Sequence, residues 1–223
     1  MLNKAYKHII WDWNGTLLDD TWLCVEVLNG LLCEHGRPEV TEDDYRMHFG
    51  FPVVDYYRHL GFATDPMSFQ AVSEQFIGAY EARWLECRLH EGTTDVLNLF
   101  RRAGVSHSVL SAAKQEALDF GVSHFGLREY FIELVGLDNI LAHGKVDLGK
   151  RWMQRLPWES EEILLIGDTL HDFEVSQAIG CDCVLLAHGH HLPDRLLRCG
   201  VPVIDNFGML LSNLEFETGQ VLL

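Results

Sequence analysis

Apolar positions along the chain change their period twice, and those changes divide it. His8 to Trp11 form a short apolar run, long enough for a buried strand and too short for a core helix. Beyond Asp20 the spacing turns helical: Trp22, Val25, Leu28, Leu31 and Leu32 fall on one face, and Gly36-Arg37-Pro38 ends the segment. Thr41-Glu42-Asp43-Asp44 has the composition of another helix start. A third helix begins near Pro66-Met67-Ser68, with Phe69, Val72, Phe76 and Tyr80 on its apolar stripe. No alternating strand pattern occurs between Asp20 and Leu89. This region reads as an α-helical block inserted after the first strand.

From Glu91 strands and helices take turns. Helices are predicted over 94–103, 115–120, 146–156 and 173–179, the last stopping at Gly180. Strands are predicted over 105–110, ending at Ser111, and over 131–135, 163–166, 183–187 and 201–204. Such alternation implies an α/β fold, a parallel sheet with helices on both faces.

Composition narrows the class. The 223 residues, 48% hydrophobic, suit one large domain or a core with a smaller insertion and exclude global disorder. Seventeen basic against 33 acidic residues give a net charge of -16, which argues against nucleic acid, whose binding depends on Lys and Arg. An anionic substrate then needs a cation or a local pocket. No apolar run is long enough to span a membrane, and the N-terminus lacks signal-peptide regions. The six cysteines are scattered, as expected for reduced thiols in a cytoplasmic protein. Cys181 and Cys183, two apart in a strand-like stretch, are expected to face opposite ways, against metal binding by the pair.

Candidate chemistry gathers at strand ends. Asp12 follows the first apolar run and precedes the turn Asn14-Gly15, where open α/β sheets place their ligands. The run 163–166 leads into Gly167-Asp168, with Asp172 four residues on, itself a plausible helix cap. Asp12 and Asp168 form a hard oxygen site of the kind Mg²⁺ prefers. Ser111 offers a hydroxyl and nearby amides to an anion, and Lys145, before a helix, a positive charge.

In this order, the motifs resemble the haloacid dehalogenase superfamily, most closely its phosphoglycolate-phosphatase-like branch with a helical cap. D-W-N-G-T-L at Asp12 to Leu17 is similar to the first motif, V-L-S-A at Val109 to Ala112 to the second, Lys145 to the third, and Gly167 to Asp172 to the fourth. The resemblance implies a Rossmann-like catalytic core at 1–17 and 90–223 and an α-helical cap at 18–89. It implies a phosphatase of small phosphorylated metabolites, with Asp12 as nucleophile forming an aspartyl-phosphate. Mg²⁺ would be held by Asp12, the backbone carbonyl of Asn14 and Asp168, with Asp172 in support. Ser111, the amide of Ala112 and Lys145 would grip the phosphoryl oxygens. Lys150 is a second candidate for the lysine role, placed inside the helix rather than before it.

One residue departs from the pattern. The family's phosphatases carry a second Asp two positions after the nucleophile, as general acid and then base, and this chain has Asn14. A carboxamide has no titratable proton near neutral pH. Loss of general acid–base help, typically worth about 10²–10⁴-fold, predicts a slow enzyme on which leaving groups stable as anions suffer least. The alternative is a catalytically weakened homologue that binds a phosphorylated ligand or partner and regulates. A dehalogenase is disfavoured, since carbon–halogen displacement needs no metal. His188, His190 and His191 around Gly189 are expected in a solvated loop, and Trp13 at the pocket entrance. Arg46, His48, Tyr56, Tyr57 and Arg58 of the cap are open candidates to face substrate.

Overall fold

A computed structural model describes residues 4–137 and 145–212, together with the backbone of 215–217 and 220–222. In chain order come strand β1 (His8–Trp11), β2 (Leu18–Asp19), helices α1 (Thr21–Glu34), α2 (Glu42–His48), α3 (Val53–His59) and α4 (Pro66–Glu81), and β3 (Arg88–Leu89). The alternating part follows: α5 (Thr93–Arg102), β4 (Ser106–Lys114), α6 (Gln115–His124), β5 (Glu133–Leu137), α7 (Val146–Met153), β6 (Ile163–Gly167), α8 (Leu170–Ile179) and β7 (Asp182–Leu186). Then come α9 (Pro193–Leu196), β8 (Val203–Ile204) and α10 (Phe207–Ser212), and an antiparallel ribbon of β9 (Glu215–Glu217) and β10 (Gln220–Leu222) ends the chain.

Six strands form one parallel sheet in the order β5-β4-β1-β6-β7-β8. The chain builds outward from β1 to β4 and β5, then crosses back to add β6, β7 and β8 on the other side. β1 therefore lies where the winding reverses, and the crevice at such a point is where doubly wound sheets bind ligands. β1, with its four residues all buried, feeds both faces: Ile9 and Trp11 join one apolar cluster, Ile10 the other. Leu164 and Ile166 of β6 follow the first, Ile163 and Leu165 the second. Each fully buried aliphatic side chain contributes about 1.5–3 kcal/mol. Cys181 and Cys183 both pack into the second cluster. That reverses the sequence expectation, because a period of two puts positions i and i+2 on the same side.

Helices α1 to α4 carry a third apolar cluster of their own, with Leu28, Leu32, Tyr45, Tyr57, Phe62 and Val72. The predicted second helix start is a capping box: the Thr41 hydroxyl accepts from the Asp44 amide (3.1 Å) while the Asp44 carboxylate accepts from the Thr41 amide (3.3 Å). Two features of this region escaped the sequence pattern. α3 is only seven residues long, and β2 pairs with β3 as a two-residue antiparallel ribbon, Leu18 opposite Leu89 and Asp19 opposite Arg88. Segments so short carry too few positions for a period to register. The ribbon joins the helical block to the sheet through both of its chain connections. Among the described residues, no helix is long and apolar enough to cross a membrane.

Candidate active site

Strand register brings the acidic residues together. Trp11 pairs with Val109 on one side and Ile166 on the other, so Asp12 leaves the sheet at its carboxyl edge, its amide donating to the Ile166 carbonyl at 2.9 Å. The next turn closes tightly, with the Leu17 and Leu18 amides both donating to the Trp13 carbonyl at 3.0 Å. Gly15 sits in that turn at φ +73°, and a Cβ there would overlap the Asp168 carboxylate and the His190 ring. Gly189 approaches as closely from the loop after β7.

Asp168 follows β6 directly and is fully enclosed. Its carboxylate accepts from the Thr16 hydroxyl (2.7 Å) and the His190 backbone amide (2.6 Å). Asp172 lies in the first turn of α8 and serves two purposes. One oxygen accepts from the amides of Asp168 (3.2 Å) and Thr169 (2.9 Å) and from the Thr169 hydroxyl (2.6 Å), completing a capping box; the other meets Lys145 Nζ at 2.5 Å. Lys145, at the N-terminal cap position of α7, also reaches Asp12 Oδ1 at 2.7 Å and donates to the Leu110 carbonyl at 3.1 Å. Lys150 is exposed, so Lys145 is the lysine of the cluster. His143 and Gly144, which precede it, lie outside the described residues. β4 runs through Ser111 instead of ending there, and its register slips between Leu110 and Lys114. In that stretch the buried Ser111 accepts the Ala113 amide at 3.0 Å, and both Ser111 and Ala112 line the cavity described below.

Asp12, Asp168 and Asp172 each present an oxygen within 4.8 Å of the others, all buried. Burial pushes Asp12 up to about 8, Lys145 opposing it and Asp172 and Asp168 adding to it. Burial likewise raises Asp168 to about 6, against the pull of His190. Asp172 lies below the usual carboxylate range, because Lys145 outweighs its burial. One ammonium faces three carboxylates, so the cluster is short of positive charge. A divalent cation held by hard oxygen donors fits that deficit. Asp12 meets Lys145 through one oxygen only, whereas both oxygens of Asp168 and of Asp172 already have partners in the protein: Thr16 and His190 for Asp168, Thr169 and Lys145 for Asp172.

Asn14 borders the cavity described below, but its amide is already paired. Its amide donates to Asp20 Oδ2 at 2.7 Å and to the Tyr80 hydroxyl at 2.9 Å, and that hydroxyl donates to the same Asp20 oxygen at 2.7 Å. The other Asp20 oxygen accepts from the Gly15 amide (2.8 Å) and meets His190 Nε2 at 3.3 Å. Burial alone would depress His190, but the Asp20 carboxylate beside it holds it up to about 9. The histidine loop is thus the reverse of solvated: His190 and His191 are buried, and His190 Nδ1 bonds the Tyr45 hydroxyl at 3.1 Å. Trp13 packs in the core against Phe125 instead of at the pocket entrance.

Asp12, Asn14, Asp20, Ser111, Ala112, Thr169 and His190 border a cavity of about 200 Å³ roofed by α1 to α4. Of the cap candidates, Tyr56 and Tyr57 line it. Arg46 does not; it donates to the Ala187 (2.7 Å) and His191 (3.3 Å) carbonyls. His48 and Arg58 are exposed, Arg58 paired with Asp55. Asp20, Tyr80 and Tyr45 were missed by sequence reasoning, and His190 was assigned to a solvated loop, since no motif spacing links these residues and only folding makes them neighbours; Thr16 lies within the first motif, and the structure adds its bond to Asp168.

Comparison with known proteins gives the family and the fold. The tyrosine-protein kinase PtkA of Mycobacterium tuberculosis is 27% identical over 205 residues, covering 89% of this chain and 68% of the relative. A phosphoglycolate phosphatase of Photobacterium profundum is 22% identical over 219 residues, covering 94% of this chain and 96% of the relative. In fold, a haloacid dehalogenase-like family hydrolase from Streptococcus pneumoniae superposes with a TM-score of 0.79 at 17% identity, over 93% of this chain and 97% of that one. The haloacid dehalogenase-like hydrolase family model matches residues 9–186, a span that holds Asp12, Lys145, Asp168 and Asp172, and the chain belongs to that family.

Proposed function

We propose that the protein is a Mg²⁺-dependent phosphatase of small phosphorylated molecules, working in the cytoplasm through an aspartyl-phosphate on Asp12. The observation that carries this reading is the buried cluster of Asp12, Lys145, Asp168 and Asp172 at the carboxyl edge of β1, of which Asp12 borders the cavity. Asp12 attacks phosphorus, the bond to the leaving oxygen breaks, and water then attacks the same phosphorus to release phosphate and restore the carboxylate. Asp12, Asp168 and the backbone carbonyl of Asn14 would hold the ion, which would supply charge neutralisation for nucleophile and phosphoryl group. Lys145 holds Asp12 in place and offers its charge to the phosphoryl oxygens, joined by Ser111 and the Ala112 amide. Asp172 acts from behind by fixing Lys145. The six cysteines are free, which supports a reducing compartment.

Asn14 supports a second reading, a weakened homologue that binds a phosphorylated ligand and regulates. Its amide is committed to Asp20 and Tyr80, so nothing at that position hands a proton to the leaving group. One screen separates the two: release of phosphate from acyl, aryl and alkyl phosphates, with and without Mg²⁺, beside an Asp12→Ala control. The phosphatase reading expects Mg²⁺-dependent turnover that Asp12→Ala abolishes, and beryllium fluoride binding only when Mg²⁺ is present. Binding of phosphorylated ligands with no turnover of any class would favour the regulator.

A further inference from the structure

The cavity wall contributed by the helical block is apolar and aromatic. Phe49, Phe51, Val53, Phe76 and Ile77 line it, and no lysine or arginine of residues 21–89 does; the charged residue there is Glu81. Lys114 approaches from the core side but is paired with Glu116 at 2.7 Å and partly exposed. A substrate with a second anionic group, such as phosphoglycolate, would press a carboxylate against this wall without a free cation to receive it, a cost that burial makes large. Two further side chains point to what the wall receives. The side chains of Tyr56 and Ser73 line the cavity, and their hydroxyls, themselves buried, have no hydrogen-bond partner among the described residues. A buried hydroxyl left unpaired is costly, and a ligand group that pairs it recovers that cost. Tyr80 marks the Asp20 end of α4, and Ser73 lies two turns earlier, roughly 10 Å along the helix axis.

We propose that the substrate is an uncharged aromatic alcohol esterified to phosphate, with its ring against the helical wall and a hydrogen-bonding substituent at the far end, near Ser73. The assignment rests on the reading of Asp12 as the phosphoryl end of the cavity. It goes beyond the leaving-group argument from Asn14, because the wall selects a ring even where the leaving oxygen is an ordinary alkoxide.

The test therefore holds leaving-group basicity nearly constant. Benzyl phosphate, ethyl phosphate and phosphoglycolate all release primary alkoxides, and kcat/KM is measured for each with Mg²⁺. Burial of the ring predicts a preference for benzyl phosphate of about 10–100-fold over ethyl phosphate, and a larger one over phosphoglycolate. Equal or reversed preference overturns the proposal. Calorimetric binding of benzylphosphonate, 4-hydroxybenzylphosphonate and 3-phosphonopropionate decides the matter even if no ester is hydrolysed, so failure of catalysis and failure of this inference are separable. The aromatic phosphonates should bind at least tenfold tighter than the carboxylate, and the 4-hydroxy compound tighter than its parent. Ser73→Ala should erase that last difference while leaving the thermal midpoint unchanged or higher, a combination a purely structural serine would not give. Ile77→Arg, which puts a cation in the wall, should shift preference towards 3-phosphonopropionate. A carboxylate bound as tightly as the ring by the unaltered protein would refute the assignment.

Discussion

At the scale of single residues, Asn14 matters most. A carboxamide in place of the expected acid suggests a missing proton donor, and its replacement by Asp suggests a simple gain. The geometry argues otherwise, because Asn14 Nδ2 lies 2.7 Å from Asp20 Oδ2. Asp at position 14 would set two carboxylates side by side in a buried site, where both cannot ionise. Asn14→Asp alone is expected to lower stability by about 1–3 kcal/mol at pH 8, with a smaller loss at pH 5, where one of the pair can hold a proton. Thermal unfolding at the two pH values checks this. The double variant Asn14→Asp/Asp20→Asn restores the amide–carboxylate pair in reverse, and should recover most of the stability and raise kcat/KM on alkyl phosphates by about 10-fold or more. A double variant no faster than the unaltered protein would mean that acid–base help at position 14 is not what limits it.

Among the elements, the ribbon of β2 and β3 is the natural pivot between helical block and sheet, two residue pairs long. Two cap tyrosines hold the block down: Tyr80 of α4 on Asp20 and Asn14, Tyr45 of α2 on His190. Tyr80→Phe removes a hydrogen bond to a charged acceptor, worth about 1.5–3 kcal/mol, while keeping the ring. Faster amide exchange across α4 is expected, together with a raised KM, because closure completes the pocket. Exchange unchanged in α4 would show that apolar packing alone seats the block. Grafting residues 18–89 onto a related core should carry substrate preference with them, since most of the wall around the cavity comes from that segment.

Over the whole molecule, charge and buried histidines set the response to solution conditions. A net charge of -16 repels phosphorylated substrates at long range, so kcat/KM should rise as salt screens it. Burial holds His8 down at about 3 and His107 at about 4, both neutral in the folded sheet. The unfolded chain, with histidines near 6.5, takes up protons that the folded chain refuses. Their contribution is complete above pH 6.5 and is lost as pH falls towards 4, at about 1.4 kcal/mol per pH unit per histidine. Denaturant midpoints between pH 7 and 4.5 measure it. His8→Gln should flatten the slope by roughly one proton's worth, and an unchanged slope would assign acid sensitivity to the carboxylates instead.

The sequence by itself determined the strand–helix alternation, the inserted helical block, and the acids Asp12, Asp168 and Asp172 with Lys145 at strand and helix ends. These are legible because a buried strand is a continuous apolar run, and its end is marked by the first charged residue or glycine. Boundaries drifted by a few residues, and α3 and the β2–β3 ribbon went unseen for want of length. Only the tertiary structure decided which distant side chains meet. His190 lies 170 residues from Asp20 and 145 from Tyr45, and sequence pattern reports periodicity within an element, never proximity across the sheet. Burial then turned a histidine-rich loop that reads as solvated into the partner of Asp20. It likewise turned Asn14 from an apparent vacancy into a donor that joins His190 and Tyr80 in keeping that carboxylate charged in the interior.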